Sequence, residues 1–353
     1  MKTNKLVVLL IIALTVLASC SSDSNEPTAP KGDYDNGIIV TNEGDFTGGT
    51  GTINYISNDY TAEEAKVYEK VNNETLGTIV QSIGFDENRA YIVVNVANKI
   101  SITDRYTMEK LGEISTDLSN PRFIAFANGK GYVTNWGDGG STDDDYVAVI
   151  DLDTNSVTNK ITVAEGPERI IANGNKLYVS HKGGWGVGNS VSVLDATSDS
   201  VVANITVGIA PDELFFNSNG SLMVSCEGQA ASTWNPTEVL AEISVISTGS
   251  NTVTKTIEVP TEVHPNTMVK EDGKIYFSSE GKVYEMSESA STYNATELFS
   301  TPVYGMNVRE GKLYITDAKD YVSNGSLKVF DISTKAEEKE FTVGINPGKI
   351  YFN

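Results

Sequence analysis

Two cysteines and two histidines in 353 residues rule out several kinds of chemistry. A zinc site is built from Cys and His ligands in recognisable spacings, and neither HExxH nor CxxC occurs in this chain. With so few cysteines no disulfide framework exists, and if Cys20 is used otherwise, Cys226 has no partner at all. Positive charge is also scarce, with 26 Lys and Arg against 47 Asp and Glu for a formal charge of −21. Such an acidic body repels phosphate backbones and anionic bilayer surfaces, which excludes nucleic acid as a partner. The apolar run over residues 6–17 is too short to remain across a bilayer.

That run has its own reading. Lys2 and Lys5 precede it and small residues close it, which is the pattern of a secretory signal over residues 1–19. The ending Leu17-Ala18-Ser19-Cys20 resembles the lipobox of bacterial lipoproteins, which implies cleavage before Cys20 and acylation of its thiol. Residues 20–36 are then a lipidated Cys followed by a polar, Pro-containing tether, and the folded part is residues 37–353. Acidic residues just behind the cysteine resemble the surface-export signal of Bacteroidetes lipoproteins. The resemblance implies an outer-membrane location facing the medium, with the membrane touched only by the lipid.

What the chain has in quantity is repetition. Residues 167–210 contain four short runs rich in Val, Ile, Leu and Tyr, at 169–172, 176–180, 190–195 and 201–207, broken by Gly, Asn, Asp and Ser. Each is too short for a helix and reads as a strand, and four strands in this length make one propeller blade. The corner opening the blade, small or polar–Pro–x–x–apolar, recurs at Pro121, Pro167, Pro211, Pro265 and Pro347, with degenerate copies at Val80 and Tyr304. The spacing is roughly 45 residues, in the range of blade-type repeats. Only one strand can follow Pro347. The first segment offers strands at 37–41, 52–57 and 65–71 but lacks an innermost one. The chain is therefore expected to be all-β, a seven-bladed propeller whose C-terminal strand completes the N-terminal blade and removes the open edges. The recurring turns GKGYV, GNKLYV, GKIYF and GKLYI and the VIDLDTNSV-type turns resemble the YncE-like seven-bladed propellers.

In such a ring the corners and the loops between second and third strands share the face around the channel mouth. These loops are expected at 42–51, 95–99, 135–146, 181–189, 226–239, 279–282 and 317–326. Trp136, Trp185 and Trp234 all fall in them, as do His181 and Cys226, while His264 sits in a corner of the same face. An aromatic-lined, polar-rimmed depression is the form of a ligand site. The candidate ligand-binding residues are Glu43, Asn95, Trp136, His181, Lys182, Trp185, Glu227, Trp234 and His264.

Catalytic chemistry is not expected. His181–Lys182 is a lone loop pair without a third group, Cys226 reads as an inert buried thiol, and the 138–145 loop (DGGSTDDD) lacks the calcium-loop spacing, although its carboxylates leave a Ca²⁺ site open. No cofactor and no other metal is expected. Streptogramin lyases share the seven-bladed ring, but their His-plus-metal site has no counterpart here. The opening blade, GIIVTNEGDFTGGTGTINYI, together with the lipobox, resembles the surface propeller lipoproteins of Bacteroidetes, of which the BtuG-type cobalamin-capturing proteins are members. This resemblance implies capture of a corrinoid on the loop-rich face and docking on a TonB-dependent transporter. An adhesion scaffold binding protein or glycan is the alternative, and a metal-dependent lyase a distant third.

Overall fold

The computed structural model describes residues 30–233 and 236–353, and Lys31 to Asn353 form one compact unit. The expected signal, Cys20 and most of the tether, together with Trp234, lie outside the described residues. The strands pair antiparallel into seven four-stranded sheets set as blades in a ring, the propeller that the repeats predict. Among the described residues no helix is long and apolar enough to cross a membrane.

Strand side chains alternate between two faces, and in a blade both faces meet a neighbour. In the strand Arg89–Val94, Ala90, Ile92 and Val94 pack with Ile39 and Ile53 of the blade before, while Tyr91 and Val93 pack with Ile124 and Val133 of the blade after. This explains why the middle strands read as nearly continuous apolar runs rather than alternating ones. The last of these interblade cores joins Tyr314, Leu327 and Val329 to Ile38 and Val40, closing the ring. The same closure appears in the backbone, where Pro347–Phe352 pairs antiparallel with Gly37–Asn42 and Tyr351 lies opposite Ile39.

Two expectations need correction. Residues 65–71 are not a strand: only Glu63–Glu64 extends the first blade, Lys66 turns left-handed (φ 56°), and a helix follows over Val67–Asn72. Val67, Tyr68 and Val71 pack on the core from one side of that turn, a 3.6-residue period that a short window reads as period two. The packed unit also begins before Gly37. Tyr34 is buried against Tyr55, with its N–H on the Tyr106 carbonyl at 2.9 Å, so the end of the presumed tether belongs to the body.

Four of the innermost strands start at a corner proline, Pro121, Pro167, Pro211 or Pro347. The residues just after each proline therefore stand along the axis of the ring. Lys349 of the first blade accordingly has its ammonium 5.9 Å from the ring of Phe123 on the third. These are the positions from which the candidate site is built.

Candidate functional site

Blades three to five carry charge at the corner positions, and these charges pair from blade to blade. Arg122 places its guanidinium on Glu168 of the next blade through two bonds of 2.9 Å and donates backwards to Gln81 at 2.7 Å. The same guanidinium stacks 4.0 Å from the Trp136 ring, whose indole N–H donates to the Pro167 carbonyl at 3.1 Å. Arg169 stacks 4.2 Å over Phe123, donates to Asp212 at 2.8 Å, and also bonds Glu213. Lys182 bridges Asp212 at 2.8 Å and Glu227 at 2.6 Å. On the other side of the channel Tyr304 donates to Glu43 at 2.8 Å.

Burial sets the electrostatics of this wall. It opposes the charge on Asp212, but Lys182 and Arg169 outweigh it and hold that carboxyl far below the usual range. Glu227 has weaker compensation; burial pushes it up to about 7 against the pull of Lys182. Burial likewise raises Glu43 and lowers Lys349, whose ammonium also feels Arg169 and donates to no hydrogen-bond acceptor among the described residues.

Over this network opens a cavity of about 260 Å³ walled by Arg122, Trp136, Glu168, Lys182, Gln229 and the glycines of the 182–189 loop. That loop is held by its backbone: Lys182 N–H bonds Gly166 O at 3.0 Å and Gly188 N–H bonds Lys182 O at 2.8 Å. Gly166 has φ +61°, and a Cβ there would lie 1.9 Å from Gly184 N. Gly174 has nearly the same φ, +59°, but nothing within 4 Å of its missing Cβ. Gly174→Ala should therefore cost only about 1 kcal/mol, the left-handed penalty, whereas Gly166→Ala should cost about 2–3 kcal/mol through added collision. Urea midpoints of the two variants compare them directly.

The structure sorts the candidate residues. It brings Trp136, Lys182, Glu227 and His264 together on one side of the mouth, His264 donating its Nδ1–H to the Glu227 carbonyl at 2.7 Å and facing Glu238 at 3.1 Å. Glu43 faces the channel from the first blade. Trp185 stands on the rim, 82% exposed, its backbone N–H donating to Gly139 O at 3.1 Å. Two placements are corrected. His181 is not a loop residue: it ends the strand Lys176–His181, is buried, and bonds Ser192 Oγ at 2.7 Å, so burial drives its ring down to about 4. Asn95 is buried as well and spends its amide on the Pro121 carbonyl at 3.2 Å, tying one blade to the next corner. Trp234 cannot be placed, being outside the described residues.

The residues missed by sequence reasoning are Arg122, Glu168, Arg169, Asp212, Glu213 and Lys349. Their signal lay in the corner motif itself: NPRFI, GPERI, APDEL and NPGKI put charges on strands that should be innermost. Cys226 is buried, with its thiol pushed up by burial. Among the described residues no group of three or more His, Cys, Asp and Glu is placed to hold a metal ion. In the acidic loop Asp138 and Asp144 use their carboxylates on loop N–H groups, at 3.2 and 2.9 Å.

Among solved structures the chain is similar to hydrazine synthase of Kuenenia stuttgartiensis, with 15% identity, a TM-score of 0.60, and coverage of 75% of this chain and 86% of that one. It is also similar to dihydro-heme d1 dehydrogenase NirN in complex with DHE, with 14% identity, a TM-score of 0.55, and coverage of 92% and 77%. At that identity the likeness is one of fold. No curated protein matches the sequence. A family model does match, over residues 36–229, more than half of the chain, and on that ground the protein belongs to the DUF5074 family, a domain of unknown function.

Proposed function

We propose that this protein is a non-enzymatic ligand-capture protein, tethered by lipid at Cys20 to the outer membrane and working beside a TonB-dependent transporter. The observation that carries the reading is the cavity at the channel mouth, where Trp136 and Arg122 form a stacked wall beside Lys182 and Glu168. A planar polar molecule gains a π-face, a guanidinium edge and backbone donors from the 182–189 loop in one place. The charges beneath it are already paired, so they orient rather than react.

A corrinoid is the ligand that the family resemblance puts first. Its ring exceeds a cavity of about 260 Å³, so it would lie across the mouth against Trp185 and insert one amide arm toward Trp136. Apart from Leu111 and Val202, the exposed large apolar side chains recorded for the described residues, among them Phe46, Val96, Val187 and Tyr321, stand on the mouth-side loops. Such a patch supports partner docking on this face. Calorimetric titration of the purified protein with cyanocobalamin tests the reading: heat lost in Trp136→Ala is the expected result. Absence of heat at micromolar protein removes the corrinoid. Heat unchanged by Trp136→Ala removes the site.

A further inference from the structure

A second cavity, sharing no lining residue with the one at the channel mouth, lies at the seam where the ring closes. We infer that it binds a small zwitterion of the amino-acid type, independently of the mouth. The cavity measures about 480 Å³ and lies between the helix Val67–Asn72, the first blade and the outer strands of the seventh. It is where the repeat is broken. The outer strand of the first blade is reduced to Glu63–Glu64, and the helix presents Glu69 where a regular blade would place a strand.

Apart from Thr52, whose hydroxyl accepts from the Asn42 amide at 3.1 Å, the polar side chains of the lining keep bonding capacity unused. Glu69 has a carboxylate oxygen that is buried and without a hydrogen-bond partner. Lys66, three residues earlier and also on the wall, forms no ion pair with it or with any other described residue. The hydroxyls of Thr50 and Thr75 and the amide of Asn324 line the same space, likewise without partners among the described residues. Burial holds the Glu69 carboxyl above its ordinary value, against a hydrogen bond from its own backbone N–H and the weaker pull of Lys66.

A half-buried carboxylate with one oxygen left without a donor is costly, and chains normally pair such an atom or expose it. The contrast with the channel is direct. There Glu168, Asp212, Glu213 and Glu227 are each bonded to an Arg or Lys of the protein. Here one negative and one positive side chain flank a single cavity and leave each other unneutralised. The complementary guest carries an ammonium for Glu69, a carboxylate for Lys66, and a polar body for the threonines and Asn324. A cavity of this size falls in the range of small-molecule sites.

The test uses the purified protein with L-serine, choline and propionate as probes, followed by calorimetry at low-millimolar ligand. Heat is expected with L-serine, and neither choline nor propionate should match it. Glu69→Gln and Lys66→Asn, the latter chosen because asparagine tolerates the left-handed backbone at that position, should each weaken serine binding about tenfold or more. Trp136→Ala should leave it unchanged. Thermal unfolding of each variant confirms that it is folded. No heat with serine, equal binding of choline, or serine binding that survives both wall substitutions overturns the inference. None of these results bears on the mouth, whose own probe is cyanocobalamin.

Discussion

Arg169→Ala is expected to be the most damaging single substitution in the channel, costing about 3–5 kcal/mol. The guanidinium serves two carboxylates of the neighbouring blade, Asp212 and Glu213, and covers the Phe123 ring. Its side chain is 13% exposed and that of Asp212 10%, so water cannot take over its role. Removing it leaves Asp212 to Lys182 alone and Glu213 with no cation bonded to it. The uncompensated buried charge, rather than the lost attraction, dominates the cost. The sign with pH follows. In the wild type, Asp212 is held far below its ordinary range, so its contribution is present above the unfolded value and persists until strong acid. In the variant, the stranded carboxyls rise, and protonating them relieves the repulsive burial. Urea unfolding at pH 7 and pH 5 should therefore show a smaller penalty at the lower pH. A loss below about 1 kcal/mol, typical of an exposed pair, would show that the channel is wet enough to screen these charges.

The second large effect is acid sensitivity from His181. Burial holds its imidazole neutral down to about 4, whereas the unfolded chain takes up the proton near 6.5. Between those values the unfolded state binds more protons, so folding stability falls as pH drops through the window, by about 3 kcal/mol at most. Glu227 and Asp145 act the other way. Burial raises them to about 7 and about 6, so their contribution is complete at low pH and disappears as pH rises through those values. The wild-type curve alone therefore mixes opposing terms. The difference between wild type and His181→Gln isolates the histidine, because a glutamine amide can reach Ser192 without titrating. That difference should be constant above pH 7 and decline toward pH 4. A pH-independent difference would mean that the ring is solvated or already charged in the fold.

The two largest effects fall on residues whose roles the sequence does not show. The HKGGWGVGN segment reads as a loop offering His, Lys and Trp to a ligand. The fold splits that trio: His181 is the last residue of a strand and buried, Lys182 is locked between Asp212 and Glu227, and only Trp185 is out in solvent. A strand end and a loop start differ by one residue, and strand pairing decides which side of that boundary a side chain takes. The Val67–Asn72 helix was misread for a similar reason, since three apolar residues fit both periods over so short a window.

The repeats determined the fold. Corner prolines, Gly-Lys-x-Tyr turns and Asp-headed turns are local: each is satisfied within its own hairpin, as when Asp151 accepts the N–H groups of Asp153 and Thr154 at 3.0 and 2.8 Å. Their number and spacing counted the blades, and the missing innermost strand at one end matched the surplus strand at the other. The site needed the third dimension. Arg122 meets Glu168, 46 residues further on, and Arg169 meets Asp212, 43 further on, because both stand one blade apart on the same axis. Glu69 faces Gly344 across a cavity only because the ring closes the two ends of the chain together. Partners separated by a whole repeat leave no local pattern. Charges at the corner positions were visible in the sequence, but only ring geometry made one wall of them.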